Sequence, residues 1–298
     1  MEINMKTCSI KNEYYTITVS TLGAELISVK ADDGYEYMWQ NEQGGFWDSH
    51  APLLFPVCGR LLNQKYTFCG KEYEMDVHGF VKDFEFAVAS KEGSHITMTL
   101  SSSEATKKIY PVDFTVVADY ELRGEEIIFS FKVTNRDKTV MPYMFGWHPG
   151  FNLPTGDGLD INDYKLYLGD ISELTWHPLQ NGPFFSPIRN AYPLESGSYK
   201  FVEDEIYKND TMIFTGHKNS LKMLADGHPY ELSLSWSDNL PYLCIWKDEF
   251  NAAKFICLEP WSDVPGDGVT EENFDTREMH RLMPGKSETY TYKLKIKH

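Results

Sequence analysis

The stretch Ile127-Ile128-Phe129-Ser130-Phe131-Lys132-Val133-Thr134 sets Ile127, Phe129, Phe131 and Val133 on one side of an extended chain, against Ser130, Lys132 and Thr134 on the other. Side chains alternate across a strand, so this spacing turns one face to a core and the other to water, as in an antiparallel sheet. The same period recurs elsewhere. Ile96, Met98 and Leu100 alternate with Thr97, Thr99 and Ser101, and Leu232, Leu234 and Trp236 alternate with serines. Tyr290, Tyr292, Leu294 and Ile296 alternate with Thr291, Lys293, Lys295 and Lys297. Runs of similar character cover residues 15–20, 25–30, 84–89, 114–122, 242–246 and 255–261. Turn clusters such as Asp32-Asp33-Gly34, Arg123-Gly124-Glu125 and Pro284-Gly285-Lys286 separate them. No apolar stripe of helical period lasts four turns; residues 102–108 and 271–281 are the best short helix candidates. The pattern predicts an all-β chain, a large antiparallel β-sandwich in which residues 1–298 form one domain. A jelly roll or cupin-like barrel is the second architecture it allows.

Composition narrows the partners. Lys and Arg total 28 against 44 Asp and Glu, a formal net charge of −16. That balance disfavours nucleic acid and anionic membrane surfaces, both of which select basic proteins. No apolar run has the length of a membrane span, and the first residues carry Glu2 and no apolar signal-like region. The five cysteines, Cys8, Cys58, Cys69, Cys244 and Cys257, are scattered and unpaired in spacing. They read as reduced thiols of a cytoplasmic protein. Aromatic richness stands out, with 18 Tyr, 18 Phe and 7 Trp.

Several chemistries lack their motifs. There is no G-x-x-x-x-G-K-[ST] or G-x-G-x-x-G cradle for nucleotide phosphates and no G-x-S-x-G elbow for a serine nucleophile. There is no H-E-x-x-H, H-x-H or C-x-x-C either, so a metal site needs ligands gathered from distant segments; none is expected. Three local contexts carry polar residues among aromatics. In Gly146-Trp147-His148-Pro149-Gly150-Phe151-Asn152-Leu153-Pro154, His148 shares a face with Met144 and Gly146, while Tyr143, Phe145 and Trp147 share the other. A histidine at such a strand end suits an open pocket; a half-buried imidazole bonding a carbonyl is the competing reading. His177-Pro178 and His228-Pro229 show that His-Pro alone distinguishes little. In Phe255-Ile256-Cys257-Leu258-Glu259-Pro260-Trp261, Glu259 ends an apolar strand. Partial desolvation there raises a carboxylate's pKa and makes it a usable base near neutrality, unless it merely marks the exit into solvent. The third context joins Asp76-Val77-His78-Gly79-Phe80 to Cys58-Gly59-Arg60-Leu61, where Arg60 and His78 suit a polyhydroxylated ligand or simply a surface.

Taken together, these segments resemble the aldose 1-epimerase (galactose mutarotase-like) family, most closely its LacX-like branch. The resemblance spans nearly the whole chain. It runs from Leu22-Gly23-Ala24-Glu25-Leu26 through Pro52-Leu53-Leu54-Phe55-Pro56-Val57-Cys58-Gly59-Arg60 to Leu282-Met283-Pro284-Gly285-Lys286 before the last strand. It implies a galactose mutarotase-like supersandwich with a sugar cleft on one sheet, and interconversion of aldose anomers without metal or coenzyme. By position His148 matches the family's general acid and Glu259 its general base. Arg60 and His78 match substrate-binding residues, Asp210 is the candidate substrate-binding acid, and Trp147 is an aromatic candidate for the sugar's C–H face.

Anomerisation suits these residue types. A proton leaves the C1 hydroxyl, another reaches the ring oxygen, and the acid and base exchange roles when the ring recloses. Imidazole and carboxylate with pKa values drawn toward neutrality serve both directions. The expected partner is a small-molecule sugar, and the expected assembly is a monomer or homodimer. Three alternatives stay open: a non-catalytic carbohydrate-binding protein on the same fold, a hexose-6-phosphate epimerase, and a glycoside hydrolase or lyase. The phosphate reading needs a cationic clamp, for which Arg60, Lys65, Lys71 and Lys82 lie near the right motifs. The hydrolase reading needs two flanking carboxylates.

Overall fold

The computed structural model describes residues 6–32, 34–41, 44, 47–153, 159–201, 206, 208–248 and 254–297. Where polar and apolar residues alternate, the chain pairs antiparallel. Among the described residues, nine strands form one sheet. Its order is Ser198–Lys200, Tyr164–Tyr167, Ser220–Ala225, Glu231–Trp236, Ser287–Lys297, Glu126–Asn135, Phe114–Arg123, His95–Ser101 and Ala87–Glu92. A second sheet runs Asn190–Pro193, Glu173–His177, Thr211–Thr215, Tyr242–Trp246, Phe255–Trp261, Gly146–Trp147 and Leu53–Leu54, with Gly150–Asn152 joining on Phe255–Trp261. A smaller sheet of Thr7–Lys11, Tyr15–Ser20 and Leu26–Ala31 packs into the same core. Among the described residues neither large sheet closes on itself, so the architecture is a sandwich and not a rolled barrel.

The inner faces meet through aromatic rings. Phe131 stacks on Phe145 with centroids 4.3 Å apart and planes inclined by 4°. Trp147 lies between Phe129, at 5.4 Å, and Tyr292, at 5.1 Å. The Tyr292 hydroxyl donates to the Pro260 carbonyl at 3.0 Å, tying the two sheets where an aromatic body also supplies a polar end. Glu126–Asn135 buries the alternate residues that its sequence period selects, except at its end, where consecutive residues are covered.

Two expectations are corrected here. Trp147, read as an aromatic for a sugar face, is 1% exposed and belongs to the inter-sheet core. Alternation requires this, because its neighbour His148 takes the opposite face. Residues 271–281 form turns leading into the strand His280–Leu282, which pairs with Met141–Tyr143. Glu272 is buried there against Arg277 and Phe274 stacks on Tyr66 at 4.0 Å, so the segment is held by separate side-chain contacts along its turns and not by an apolar helical stripe. The other candidate becomes the helix Glu104–Ile109, capped reciprocally by Ser103 and Thr106. No helix among the described residues is long and apolar enough to cross a membrane.

Replacing Trp147 by Ala removes the ring that fills the space between Phe129 and Tyr292. Urea unfolding is expected to show a loss of about 3–5 kcal/mol, with a smaller loss for Trp147→Phe. A loss below about 1 kcal/mol would contradict its core role.

Candidate active site

Residues 146–152 lie antiparallel to Phe255–Trp261 in one unshifted register, from Gly146 opposite Trp261 to Gly150 opposite Cys257 and Asn152 opposite Phe255. That register sets His148 across from Glu259, on the face turned away from the inter-sheet core. The ladder opens between them because Pro149 has no N–H to contribute. The Leu258 N–H still reaches the Pro149 carbonyl at 3.3 Å, and the His148 N–H reaches Pro52 at 3.1 Å. His148 Nε2 consequently lies 3.3 Å from a Glu259 carboxylate oxygen. Gly146 keeps this face open: a Cβ there would stand 2.5 Å from Cδ1 of Trp261, whose ring lies over the strand beside the pair.

His148 and Glu259 line a cleft of about 330 Å³ whose walls also include Arg60, His78 and Asp210. These five come from five separate segments. His78 is held by its turn: at Gly79, with φ +75°, a Cβ would lie 2.1 Å from the Phe55 carbonyl oxygen. The His78 N–H donates to Gly59 at 2.9 Å, and the Gly59 N–H donates back to His78 Nδ1 at 3.1 Å. A nitrogen that accepts carries no proton, so neutral His78 has its proton on Nε2 and is a donor there. Its ring stands edge-on to His148 at 5.3 Å and to Trp261 at 5.7 Å. Asp210 immediately precedes Thr211–Thr215 and accepts a hydrogen bond from the Trp246 indole. Arg60 is exposed at the rim, with its carbonyl accepting from the Gly266 N–H at 3.3 Å.

The aromatic walls are Trp47, Trp246 and Trp261. The rings of Trp47 and Trp246 lie 4.9 and 5.5 Å from that of His148. Of the other cations considered for a phosphate, Lys82 lines the cleft, but its ammonium donates to the Gly79 carbonyl and to Asp83, both at 2.9 Å. Lys65 pairs with Glu72 at 2.7 Å on the hairpin that also carries Lys71, and neither lysine lines the cleft.

Burial governs the electrostatics. Glu259 is 1% exposed, and neither carboxylate oxygen has a hydrogen-bond partner among the described residues. Desolvation first, and the nearby Asp210 charge second, push its pKa well above the usual carboxylate range. The Trp261 indole N–H opposes this from nearby without closing a well-formed bond. Desolvation pulls His148 down to about 3 and also pushes His78 well below the ordinary imidazole value, with the cations Lys82 and Arg60 acting in the same direction. Burial thus favours the uncharged forms of both facing groups.

Comparison with known proteins gives this arrangement its context. Residues 6–295 match the aldose 1-epimerase family. The chain belongs to that family. A curated relative, the plasmid protein LacX of Lactococcus lactis subsp. lactis, is 28% identical over 302 aligned residues, covering 97% of this chain and 99% of its own. Among solved structures, a galactose mutarotase related enzyme from Lactobacillus acidophilus aligns with TM-score 0.91 and 28% identity, over 98% of this chain and 97% of its own. A galactose mutarotase-like protein from Lactobacillus casei aligns with TM-score 0.89 and 27% identity, over 98% and 100%. The sandwich is thus the galactose mutarotase-like fold.

For this aldose 1-epimerase family member, reading the sequence missed Trp47 and Trp246 as cleft residues. Trp246 had a signal: it ends the alternating strand Tyr242–Trp246 on the same face as Cys244, which pairs with Glu259. Trp47 had none, since it follows no period and is brought in by stacking on Phe255 at 5.5 Å.

A carboxyl whose folded pKa is raised keeps a proton that the unfolded chain releases above about 4.5. It therefore lowers stability as pH rises from there toward its folded pKa. Glu259→Gln, neutral at every pH, is expected to melt at a higher temperature than the unaltered protein, with the gap widening from pH 5 to pH 8. Melting curves across that range check it, and a gap that narrows with pH would contradict the buried-acid assignment.

Proposed function

We propose that this protein interconverts the α and β anomers of an aldose in the cytoplasm by acid–base catalysis between His148 and Glu259. One observation carries the reading: an imidazole and a carboxylate face each other at 3.3 Å in a cleft, with both carboxylate oxygens free of protein hydrogen-bond partners among the described residues. The two oxygens that exchange protons in anomerisation, the C1 hydroxyl and the ring oxygen, are bonded to the same carbon. A catalyst needs its acid and base side by side, which is this geometry.

Sugar hydroxyls that donate to Glu259 favour its ionised form, and its proton then passes to the adjacent His148. The Glu259 carboxylate takes the C1 hydroxyl proton while His148 gives its proton to the ring oxygen, and the C1–O5 bond breaks to give the aldehyde. After rotation about C1–C2 the C5 hydroxyl attacks the other carbonyl face. His148 recovers the hydroxyl proton, Glu259 returns its own to the carbonyl oxygen, and both groups end as they began. Neither transfer calls for a metal or a coenzyme. Arg60, Asp210 and the Nε2–H of His78 hold hydroxyls, and Trp47, Trp246 and Trp261 pack on the sugar's C–H faces.

Polarimetry or NMR exchange on a panel of free and phosphorylated aldoses tests the proposal. Glu259→Gln and His148→Asn are each expected to lose about 10²–10⁴ of the anomerisation rate while remaining folded. Arg60→Ala is expected to raise KM more than it lowers kcat. Near-normal rates in either catalytic variant would sink the assignment, and sugar binding without any rate enhancement would favour the non-catalytic alternative.

A further inference from the structure

One buried group beside the pair takes no part in the proposed chemistry. Cys257 lies two residues before Glu259 on the same strand face, opposite Gly150. It is fully covered, packed with Trp39, Phe255, Trp47 and Trp246, and does not line the cleft. Yet its sulfur, one nitrogen of His148 and one oxygen of Glu259 all lie within 4.8 Å of one another. Alternation explains the grouping: Cys257 and Glu259 point to one side, and the 146–152 register brings His148 across.

We propose that His148, Cys257 and Glu259 form a zinc site whose occupation shuts off the proton relay. Thiolate, imidazole and carboxylate are the donor types zinc prefers, and three protein ligands leave a fourth position for water or a sugar hydroxyl. Donors around a tetrahedral zinc stand roughly 3.3–3.8 Å apart, given bond lengths of about 2.0–2.3 Å. The imidazole-to-carboxylate edge is already 3.3 Å, so only the sulfur edges must contract. A second, independent observation points to a ligand: beside the His148 imidazole, both Glu259 oxygens are buried without hydrogen-bond partners among the described residues. A cation reaches them through the cleft that both side chains line. A coordinated thiol is deprotonated by the metal itself, so a buried neutral Cys257 is no obstacle. The metal occupies the lone pairs that the relay uses, which makes it an inhibitor and not a cofactor.

Inhibition rests on the mutarotase reading, but metal binding does not, so the two are measured separately. Co²⁺ added to the whole protein is expected to give a thiolate-to-cobalt absorption band and tetrahedral visible bands that Zn²⁺ abolishes by displacement. Both should be missing in Cys257→Ala and Cys257→Ser. Zinc is expected to inhibit anomer exchange, and either variant, normalised to its own zinc-free rate, should need at least about tenfold more zinc for half-inhibition. Absence of the cobalt–thiolate band in the unaltered protein overturns the site even if anomerisation is fast, and so does a band that persists without Cys257. A normal cobalt spectrum on a protein that anomerises no sugar upholds the site and removes only the function it is said to block.

Discussion

The antiparallel register between residues 146–152 and Phe255–Trp261 is the constraint on which the candidate site depends. Strand pairing has a period of two, so a slip of one residue would turn Trp147 into the cleft and His148 into the core. Register is secured here because the two faces differ so much. Trp147 and Phe145 fill the space against Phe129, Phe131 and Tyr292, while Gly146 and Gly150 leave room on the other face for Trp261 and Trp47. The hydrophobic packing of the sandwich and the placement of the acid and base are consequences of the same pairing.

Desolvation then decides what the pair can do. A carboxylate that is 1% exposed, with no hydrogen-bond partner among the described residues, is costly in the folded state. The fold bears that cost because the surrounding strands are anchored elsewhere, through Pro260 to Tyr292 and through Cys244 to Glu259 in the ladder. The same burial keeps His148 and His78 neutral. A cleft poised in this way is responsive to what enters it, since each hydrogen bond or cation supplied from outside shifts where the proton resides. The structure thereby joins low intrinsic stability at one point to reactivity at the same point.

Much of this was legible in the chain. The period-two runs mark strands because polar–apolar alternation is a local property, and Glu259 and His148 were visible as polar residues at the ends of apolar strands. The turn at His78 also carried a local cue in Gly79. The core position of Trp147 is also encoded locally, because it alternates with His148 and successive side chains of a strand take opposite faces. Residues 271–281 were harder, for they are held by the Glu272–Arg277 pair and by Phe274 against Tyr66, contacts that no periodicity reports. Trp47 was invisible for the same reason: it owes its place to stacking on Phe255 from a distant segment.

The sequence by itself determined the strand pattern, the all-β class and the polar residues available for chemistry, because alternation and residue type are encoded locally. Only the tertiary structure decided which strand lies beside which, and hence that His148 faces Glu259 while Arg60, His78, Asp210, Trp47 and Trp246 converge on one cleft. It also decided the direction in which the pair's pKa values move, since desolvation is a property of the surrounding fold and has no representation in any single stretch of chain.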